Sequence, residues 1–470
     1  MKRISLPSSL YPIRKNVRIS HAVCDGRLSC ESLMRTTGGY RPMHMVFSDL
    51  SATGARKTMK RVLIVVQNLP VPFDRRVWLE ATTLRAAGYA VSVICPKAKG
   101  FTASFETLED IDIYRYTVPI DASSTFGFAF EFAWCFARTA LLSLRVAITG
   151  RGFDIFHACN PPETYWLLGA FWRLFGKVFV FDHHDLSPEM FMAKFRRGGI
   201  LLKLLLWLER CTFRFADLVI TTNYSHKEIA IKRGGRMADD VYIVRSGPLL
   251  SRFTRYEPDP ARRCGKTHLI TYLGEICVQD GVDHLVRAVK LLTTSYAFLD
   301  FHCILVGGGP HQPAIKALAQ ELGVSKFCTF TGRISDEDLC RVLSSGDIAV
   351  DPDPKNDWTD KSTMNKIIEY MYFGLPIVCY DLQEARVSAE AAAIYVESND
   401  EDALARGIMQ LLGDAEARER MSKTGMARVE SSLAWDYSAP TLLAAYERAA
   451  LMVGYRQGRS ASTVQSRGRP

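Results

Sequence analysis

From Arg61 onward, short apolar runs alternate with longer stretches whose apolar positions recur every third or fourth residue. The runs predict strands at 61–67, 90–95, 154–157, 178–182, 218–221 and 241–244, and the periodic stretches predict helices at 74–87, 127–147, 162–175, 199–215 and 224–233. The alternation then restarts, with strands near 268–273, 299–306, 327–330, 347–350 and 376–379, and helices near 281–293, 310–322, 335–343, 363–373 and 399–412. Strands alternating with helices predict a parallel sheet wrapped by helices. Two α/β units in series predict a cleft between them, with ligands at the C-terminal strand ends. Gly247-Pro248 breaks both helix and strand, so the expected units are 59–245 and 246–432. A final helix is expected over 433–455, and the Ser/Arg/Gly run 456–470 reads as a disordered tail.

The formal charge of +9 hints at a nucleic-acid partner, but its distribution removes that reading. Residues 1–58 carry ten Lys/Arg against three Asp/Glu, 456–470 carry four Arg and no acid, and 59–455 hold 45 basic and 47 acidic residues. The folded body has no basic excess with which to hold nucleic acid. Residues 1–58 show no sustained period before Met59-Lys-Arg-Val-Leu-Ile-Val-Val66. They fit a start site assigned too far upstream, a disordered basic tail, or a membrane or organelle-targeting arm. The 12 Cys stand singly in apolar settings such as Cys95 and Cys379, which fits reduced buried thiols in a cytoplasmic protein rather than a disulfide framework or a metal site.

No uncharged apolar run reaches the roughly 18 residues that would span a bilayer. The stretch 199–215 carries Lys203, Arg210 and Arg214 on one face, follows Lys194, Arg196 and Arg197, and is Leu-rich elsewhere. It and 126–147 either pack on their own sheet or lie on an anionic membrane face.

The densest chemical signal is Lys361-Ser-Thr-Met-Asn-Lys-Ile-Ile-Glu-Tyr-Met-Tyr-Phe-Gly-Leu-Pro376, which reads as a helix start, a helix bearing a carboxylate, and a turn into a buried strand. Ser362 or Thr363 can cap the helix, whose N-terminal N–H groups and dipole favour an anion. Glu369 falls about two turns on, along the same face. A pyrophosphate at the helix end with ribose hydroxyls on the carboxylate is a nucleotide-sugar geometry.

This segment resembles the second-Glu region of retaining glycosyltransferases of family four, which have the two-domain GT-B fold. Other matching pieces are Val62–Trp78, Phe181-Asp-His-His-Asp-Leu-Ser-Pro-Glu189 and Phe330-Thr-Gly-Arg333, and their order between about Met59 and Leu451 carries the resemblance. It implies two Rossmann-like parallel-sheet domains, with acceptor on the first and nucleotide sugar on the second. It also implies a last helix crossing back to the first domain. Glu369, Asn365 and Lys366 then belong to the donor helix, His184 faces the reacting sugar with Asp185 beside it, and Gly332 and Arg333 face the nucleobase.

Two departures stand out. Many members carry a Glu eight residues before the second one; here Lys361 stands there, and lysine only donates. Either Lys361 contacts phosphate or neighbouring Asp360 substitutes. In Gly274-Glu-Ile-Cys-Val-Gln-Asp-Gly281, Glu275 and Asp280 occupy places where comparable enzymes often put an Arg and a Lys. The diphosphate charge must then be met by the helix end, Lys366, Lys361 or the first domain.

Asp74 fits an N-cap, which puts Arg75 and Arg76 in the first turn at the cleft mouth, where they meet a phosphate or one another's acidic neighbours. Asn160 follows a strand and can line the acceptor side. Asp351-Pro-Asp353 mimics a metal-binding D-x-D, but two carboxylates do not complete a metal sphere, so no metal is expected.

The expected function is metal-independent transfer of a hexose-like sugar from a nucleotide-diphosphate donor, the only co-substrate, to an acceptor hydroxyl. Retention is what the resemblance implies. Expected catalytic residues are His184, Glu369 and Lys366. The acceptor is expected to be a glycan or lipid-linked glycan of surface polysaccharide synthesis, met in the cytoplasm or on the inner membrane face. The alternatives are a nucleotide-sugar epimerase, which needs further acid/base residues, and a catalytically weakened scaffold.

Overall fold

The computed structural model describes residues 59–119, 125–149, 151–195 and 198–467, so residues 1–58 and Arg196 and Arg197 lie outside the described residues. Strands β1 (Arg61–Val65), β2 (Ala90–Pro96), β3 (Phe105–Leu108), β4 (Ile111–Tyr116), β5 (Ile155–Cys159), β6 (Val178–His183), β7 (Leu218–Thr221) and β8 (Val241–Ile243) form one sheet, in the order β3-β4-β2-β1-β5-β6-β7-β8. All pairs are parallel except the β3–β4 hairpin. Strands β9 (His268–Leu273), β10 (Phe301–Val306), β11 (Cys328–Gly332), β12 (Ile348–Asp351), β13 (Ile377–Tyr380) and β14 (Ala393–Val396) form a second, wholly parallel sheet, in the order β11-β10-β9-β12-β13-β14.

Parallel strands are buried on both faces, and these read accordingly: β10, for example, is buried along its whole length. One face of the first sheet is closed by helices Arg75–Ala86 and Trp435–Arg467, the other by Thr125–Ile148, Trp166–Leu174 and Ile200–Phe215. Strand order reverses at β1/β5 in the first sheet and at β9/β12 in the second. These switch points open a crevice at the carboxyl ends of the strands, where ligands bind.

The β3–β4 hairpin escapes the sequence pattern because its turn, Glu109-Asp110, holds two non-glycine residues at positive φ, 48° and 59°. Strand β14 is missed because it grows out of an alanine run that reads as helical. Helices Ser187–Phe195, Gln383–Ala389 and Ala415–Arg428 also go unpredicted. The last helix runs to Arg467 rather than stopping near Tyr455, since no proline falls between those two residues. It returns to the first sheet, where Trp435, Leu442, Tyr446 and Val453 share a core with Val62, Ile64 and Val93. Tyr446 Oη lies 2.6 Å from His157 Nδ1, and Trp435 Nε1 donates to Thr83 Oγ1 at 2.9 Å.

Candidate functional site

The helix Asn365–Tyr372 forms because Ile367, Ile368, Tyr370 and Met371 all face the core, and it stops at Gly374, whose φ of +72° suits glycine alone. It starts later than the sequence suggests, because a 3₁₀ turn, Thr359–Lys361, comes first. Ser362 and Thr363 therefore do not cap it. Ser362 Oγ donates to the Trp358 carbonyl at 2.7 Å, and Thr363 Oγ1 accepts from Asn223 Nδ2 at 3.0 Å. The N-cap position is Met364, which makes no side-chain hydrogen bond to the helix end.

Glu369 is buried, and its Oε1 accepts from Arg75 Nη1 at 3.0 Å, across from the first domain. Burial pushes its carboxyl above the ordinary range, against the pull of Arg75 and Arg252. Arg75 also lies 3.7 Å from Asp336, which Arg252 Nε contacts at 3.0 Å. Lys366 turns to acids of its own domain. Its Nζ sits 3.1 Å from Asp351 Oδ1 and 2.8 Å from Asp353 Oδ1, so the D-x-D carboxylates already hold a cation of the protein's own. Asn365 is exposed at the first helical position.

Lys361 gives its carbonyl to Asn223 Nδ2 at 2.8 Å and holds its ammonium 3.8 Å from Asp357. Asp360 is engaged on its own domain, where it accepts from the Gln383 N–H at 2.8 Å and lies 3.5 Å from Lys355. Asp280 serves its own loop by accepting from the Cys277 N–H at 2.9 Å. That loop passes very close to the glycine turn after β10: a Cβ on Gly307 would meet the Gly274 carbonyl at 1.8 Å, and one on Gly309 the Ile276 carbonyl at 2.4 Å. Gly332, at φ +68°, turns its carbonyl to the Gly307 N–H at 3.0 Å. Arg333 crosses the cleft and lies over the Phe73 ring at 4.6 Å, a cation–π contact between the domains.

In the first domain, Asp74 caps the helix Arg75–Ala86 by accepting from the Val77 N–H at 3.1 Å. The cap points Arg75 to the cleft and Arg76 inward. Arg76 is buried, bonded to both Asp182 oxygens at 2.9 and 3.3 Å, to the Val244 carbonyl at 2.7 Å and 3.1 Å from Glu80. It is thus a core ion pair and not a phosphate ligand at the cleft mouth.

Asp182 also receives His184 Nε2 at 2.5 Å and lies 3.5 Å from His157. Burial alone would raise its carboxyl, but Arg76 and His184 hold it well below the ordinary range. Burial and Asp182 push the neighbouring Glu80 well up. Glu80, Asp182 and His184, or His157, Cys159 and Asp182, present ligand atoms within 4.8 Å of one another. The Arg76 guanidinium already supplies a positive charge to Asp182 and Glu80 there, so the donor set does not fit a resident metal.

Asn160 is fully buried and acts as a clamp. Its amide donates to Glu163 at 2.9 Å and to the Asp185 carbonyl at 2.6 Å, while its oxygen accepts from the His184 and Asp185 N–H groups at 2.6 and 3.1 Å. It shapes the His184–Asp185 loop from behind rather than lining the acceptor side. Burial pushes the Asp185 carboxyl up, and His184 draws it down.

Arg75, Glu369, Phe73 and Arg333 thus meet across the cleft, with His184 held on Asp182 at the end of β6. Sequence reasoning missed Asn223, Asp336 and Phe73. Asn223 was legible only as the N-cap of Tyr224–Lys232; its second role, tying the first domain to Lys361 and Thr363, depends on distant chain segments meeting.

Residues 74–245 match the family described as glycosyl transferase 4-like domain, and residues 267–414 match glycosyl transferases group 1. An uncharacterized glycosyltransferase of Methanocaldococcus jannaschii is 26% identical over 190 residues, 40% of this chain and 46% of that protein. The GDP-mannose-dependent alpha-(1-6)-phosphatidylinositol monomannoside mannosyltransferase of Mycobacterium tuberculosis is 24% identical over 200 residues, 40% of this chain and 51% of that protein. The chain thus spans about half the length of the curated relatives it matches. Anabaena HepE in complex with UDP-glucose superposes with a TM-score of 0.62 at 18% identity, over 83% of this chain and 99% of that one. With both domains matched in order and two parallel sheets facing across a cleft, the chain belongs to the group 1 glycosyltransferases of the GT-B fold.

Proposed function

We propose that the chain transfers a sugar from a nucleotide-diphosphate donor to an acceptor hydroxyl, with retention at the anomeric carbon and no divalent metal. The observation that carries this reading is Glu369: a buried carboxylate beyond the uncapped start of its helix, paired with a half-exposed arginine of the opposite domain. Ribose hydroxyls can donate to Glu369 in place of Arg75. Arg75 is then free for the diphosphate, alongside the helix N–H groups. That assignment answers the charge problem, because Glu275 and Asp280 bring no cation and Lys366 is held by Asp351 and Asp353. Arg333 and Gly332 would frame the base.

His184, fixed on Asp182, would touch the reacting sugar, with Asp185 next to the incoming acceptor. Catalysis is then positioning plus charge stabilisation, and the leaving phosphate takes the proton of the acceptor hydroxyl. The HepE complex with UDP-glucose supports a nucleotide-sugar donor, and the mannosyltransferase supports a glycan or glycolipid acceptor. The reading keeps the cytoplasmic location expected from the sequence. A weakened scaffold is the second reading, favoured by the locked state of Lys366 and by Lys361 in the place of a Glu.

The test is a thermal-shift screen of nucleotides and nucleotide sugars on the full chain and on Glu369→Ala. A ligand that binds only the folded state raises the melting temperature with its concentration over Kd. A shift with one nucleotide family, lost in a folded Glu369→Ala protein, is the expected result and selects the donor for acceptor assays. No shift with any nucleotide sugar would sink the transferase reading.

A further inference from the structure

The first sheet carries an unusual layer on one face. Of 28 large apolar side chains exposed among the described residues, 16 fall between Phe130 and Trp207, so the apolar surface is concentrated rather than scattered. They belong mostly to the helices Thr125–Ile148, Trp166–Leu174 and Ile200–Phe215, whose inner sides share one core. The outer side of a sheet-covering helix is ordinarily polar. On Ile200–Phe215 it is not: Ile200, Leu201, Leu204 and Trp207 are exposed by 86%, 49%, 45% and 53%.

The charge on that helix is one-sided. At 100° per residue, Lys203, Arg210 and Arg214 form a strip along one edge of the apolar arc, and all three are exposed. The one acid of the helix, Glu209, is buried and paired with Arg233 at 2.6 Å. On the neighbouring Ser187–Phe195 helix, Lys194 is exposed, whereas Glu189 is bound to the same Arg233 at 2.5 Å. Trp166 and Trp207, 6.1 Å apart, join this surface to the helix Trp166–Leu174. No helix among the described residues is long and apolar enough to cross a membrane.

We propose that this layer seats on an anionic lipid bilayer, with Ile200–Phe215 lying in the interface plane. The apolar arc enters the acyl boundary while Lys203, Arg210 and Arg214 meet headgroup phosphates. A second copy of the chain fits less well. A two-fold contact would set this basic strip against itself, and neither Ser187–Phe195 nor Ile200–Phe215 offers a free acid in return. The seat is independent of the donor reading, since it involves no residue of the cleft.

The experiment is co-sedimentation of the full chain with phosphatidylcholine vesicles, with and without phosphatidylglycerol. The variants are Lys203→Gln with Arg210→Gln, and Leu204→Ser with Trp207→Ser. All four positions are exposed or nearly so, and circular dichroism checks that the variants fold. The parent should bind the anionic vesicles and release them in salt. Each lost basic residue is worth about a factor of five, so the charge pair should bind roughly 25-fold more weakly. The serine pair should lose about tenfold or more, even at low salt. Absent vesicle binding overturns the proposal. So does equal binding by parent and both variants, which would assign the lipid contact to residues 1–58. A concentration-dependent dimer that the serine pair dissociates, with no vesicle binding, would assign the layer to a second copy.

Discussion

Replacing Lys366 with Met decides whether that ammonium holds the second domain or the donor. Its two partners, Asp351 and Asp353, are almost wholly buried at the end of β12. Burial alone would depress Lys366, but Asp351 and Asp353 hold it well above its ordinary value, while burial and Asp351 push the Asp353 carboxyl well up. The trio therefore packs one ammonium against two buried acids. Deleting the ammonium strands a buried charge, at a cost of about 3–5 kcal/mol. The stranded carboxylate can escape by taking a proton. Its folded pKa then lies above the unfolded one, so stability is retained at low pH and lost as pH rises. Thermal unfolding at pH 5 and pH 8, followed by circular dichroism, reads both limbs. At pH 8 the melting temperature should fall by roughly 6–20 °C, taking about 2–4 °C per kcal/mol. Adding Asp353→Asn removes one acid and should restore much of the loss. A Lys366→Met protein within about 1 kcal/mol of the parent at pH 8, yet unable to bind nucleotide, would refute the trio and put Lys366 on the donor.

Arg75→Ala should change stability by less than about 1 kcal/mol, because the arginine is half exposed. Glu369 then loses a cation that lowers it, so nucleotide-sugar binding should fail at a higher pH than in the parent; an unmoved pH profile in the thermal-shift assay contradicts the pairing. Gly307→Ala places a Cβ against the Gly274 carbonyl at φ +129°, and should cost about 3 kcal/mol or more in urea unfolding; a parent-like midpoint refutes the close approach. Burial holds His226 at about 4, below its ordinary 6.5, so the unfolded chain takes the proton first. Its contribution is whole above pH 6.5 and is lost towards pH 4, roughly 3 kcal/mol in all. Glu209, pushed from 4.5 to about 7 by burial, acts with the opposite sign, its contribution lost as pH rises through that range. His226→Gln should therefore lose less stability than the parent between pH 6.5 and 4, and an identical acid limb would contradict this.

Most of the fold was legible because parallel strands buried on both faces leave continuous apolar runs. The runs around β1, β7 and β9 mark their positions almost to the residue. Elements that carry no such run were not legible, as with the Glu109-Asp110 turn and the strand after the alanine run. For the candidate site, residue type pointed to Glu369, which the fold buries against Arg75, but could not say where a cation goes. Arg75 and Arg76 are identical neighbours in sequence, yet the Asp74 cap sends one to the cleft and the other to a carboxylate 106 positions away. Lys366 looked available for phosphate because the turn that brings Asp351 and Asp353 to it is a property of the sheet. Asn160 was read as a ligand because a buried clamp and a cleft amide have the same local sequence.

The return of the last helix to the first sheet has a consequence for how the chain is made. Val62, Ile64 and Val93 share their core with Trp435, Leu442, Tyr446 and Val453, which leave the ribosome only after the whole second sheet. Domains usually fold as they emerge, N-terminal first. Here the first domain reaches that point with an apolar face still bare and must wait, through synthesis of its neighbour, for the residues that cover it. Emergence of the last helix, rather than the end of its own strands, is then the moment when the first domain closes. A premature stop beyond Arg428 would injure the opposite end of the protein from the one it shortens.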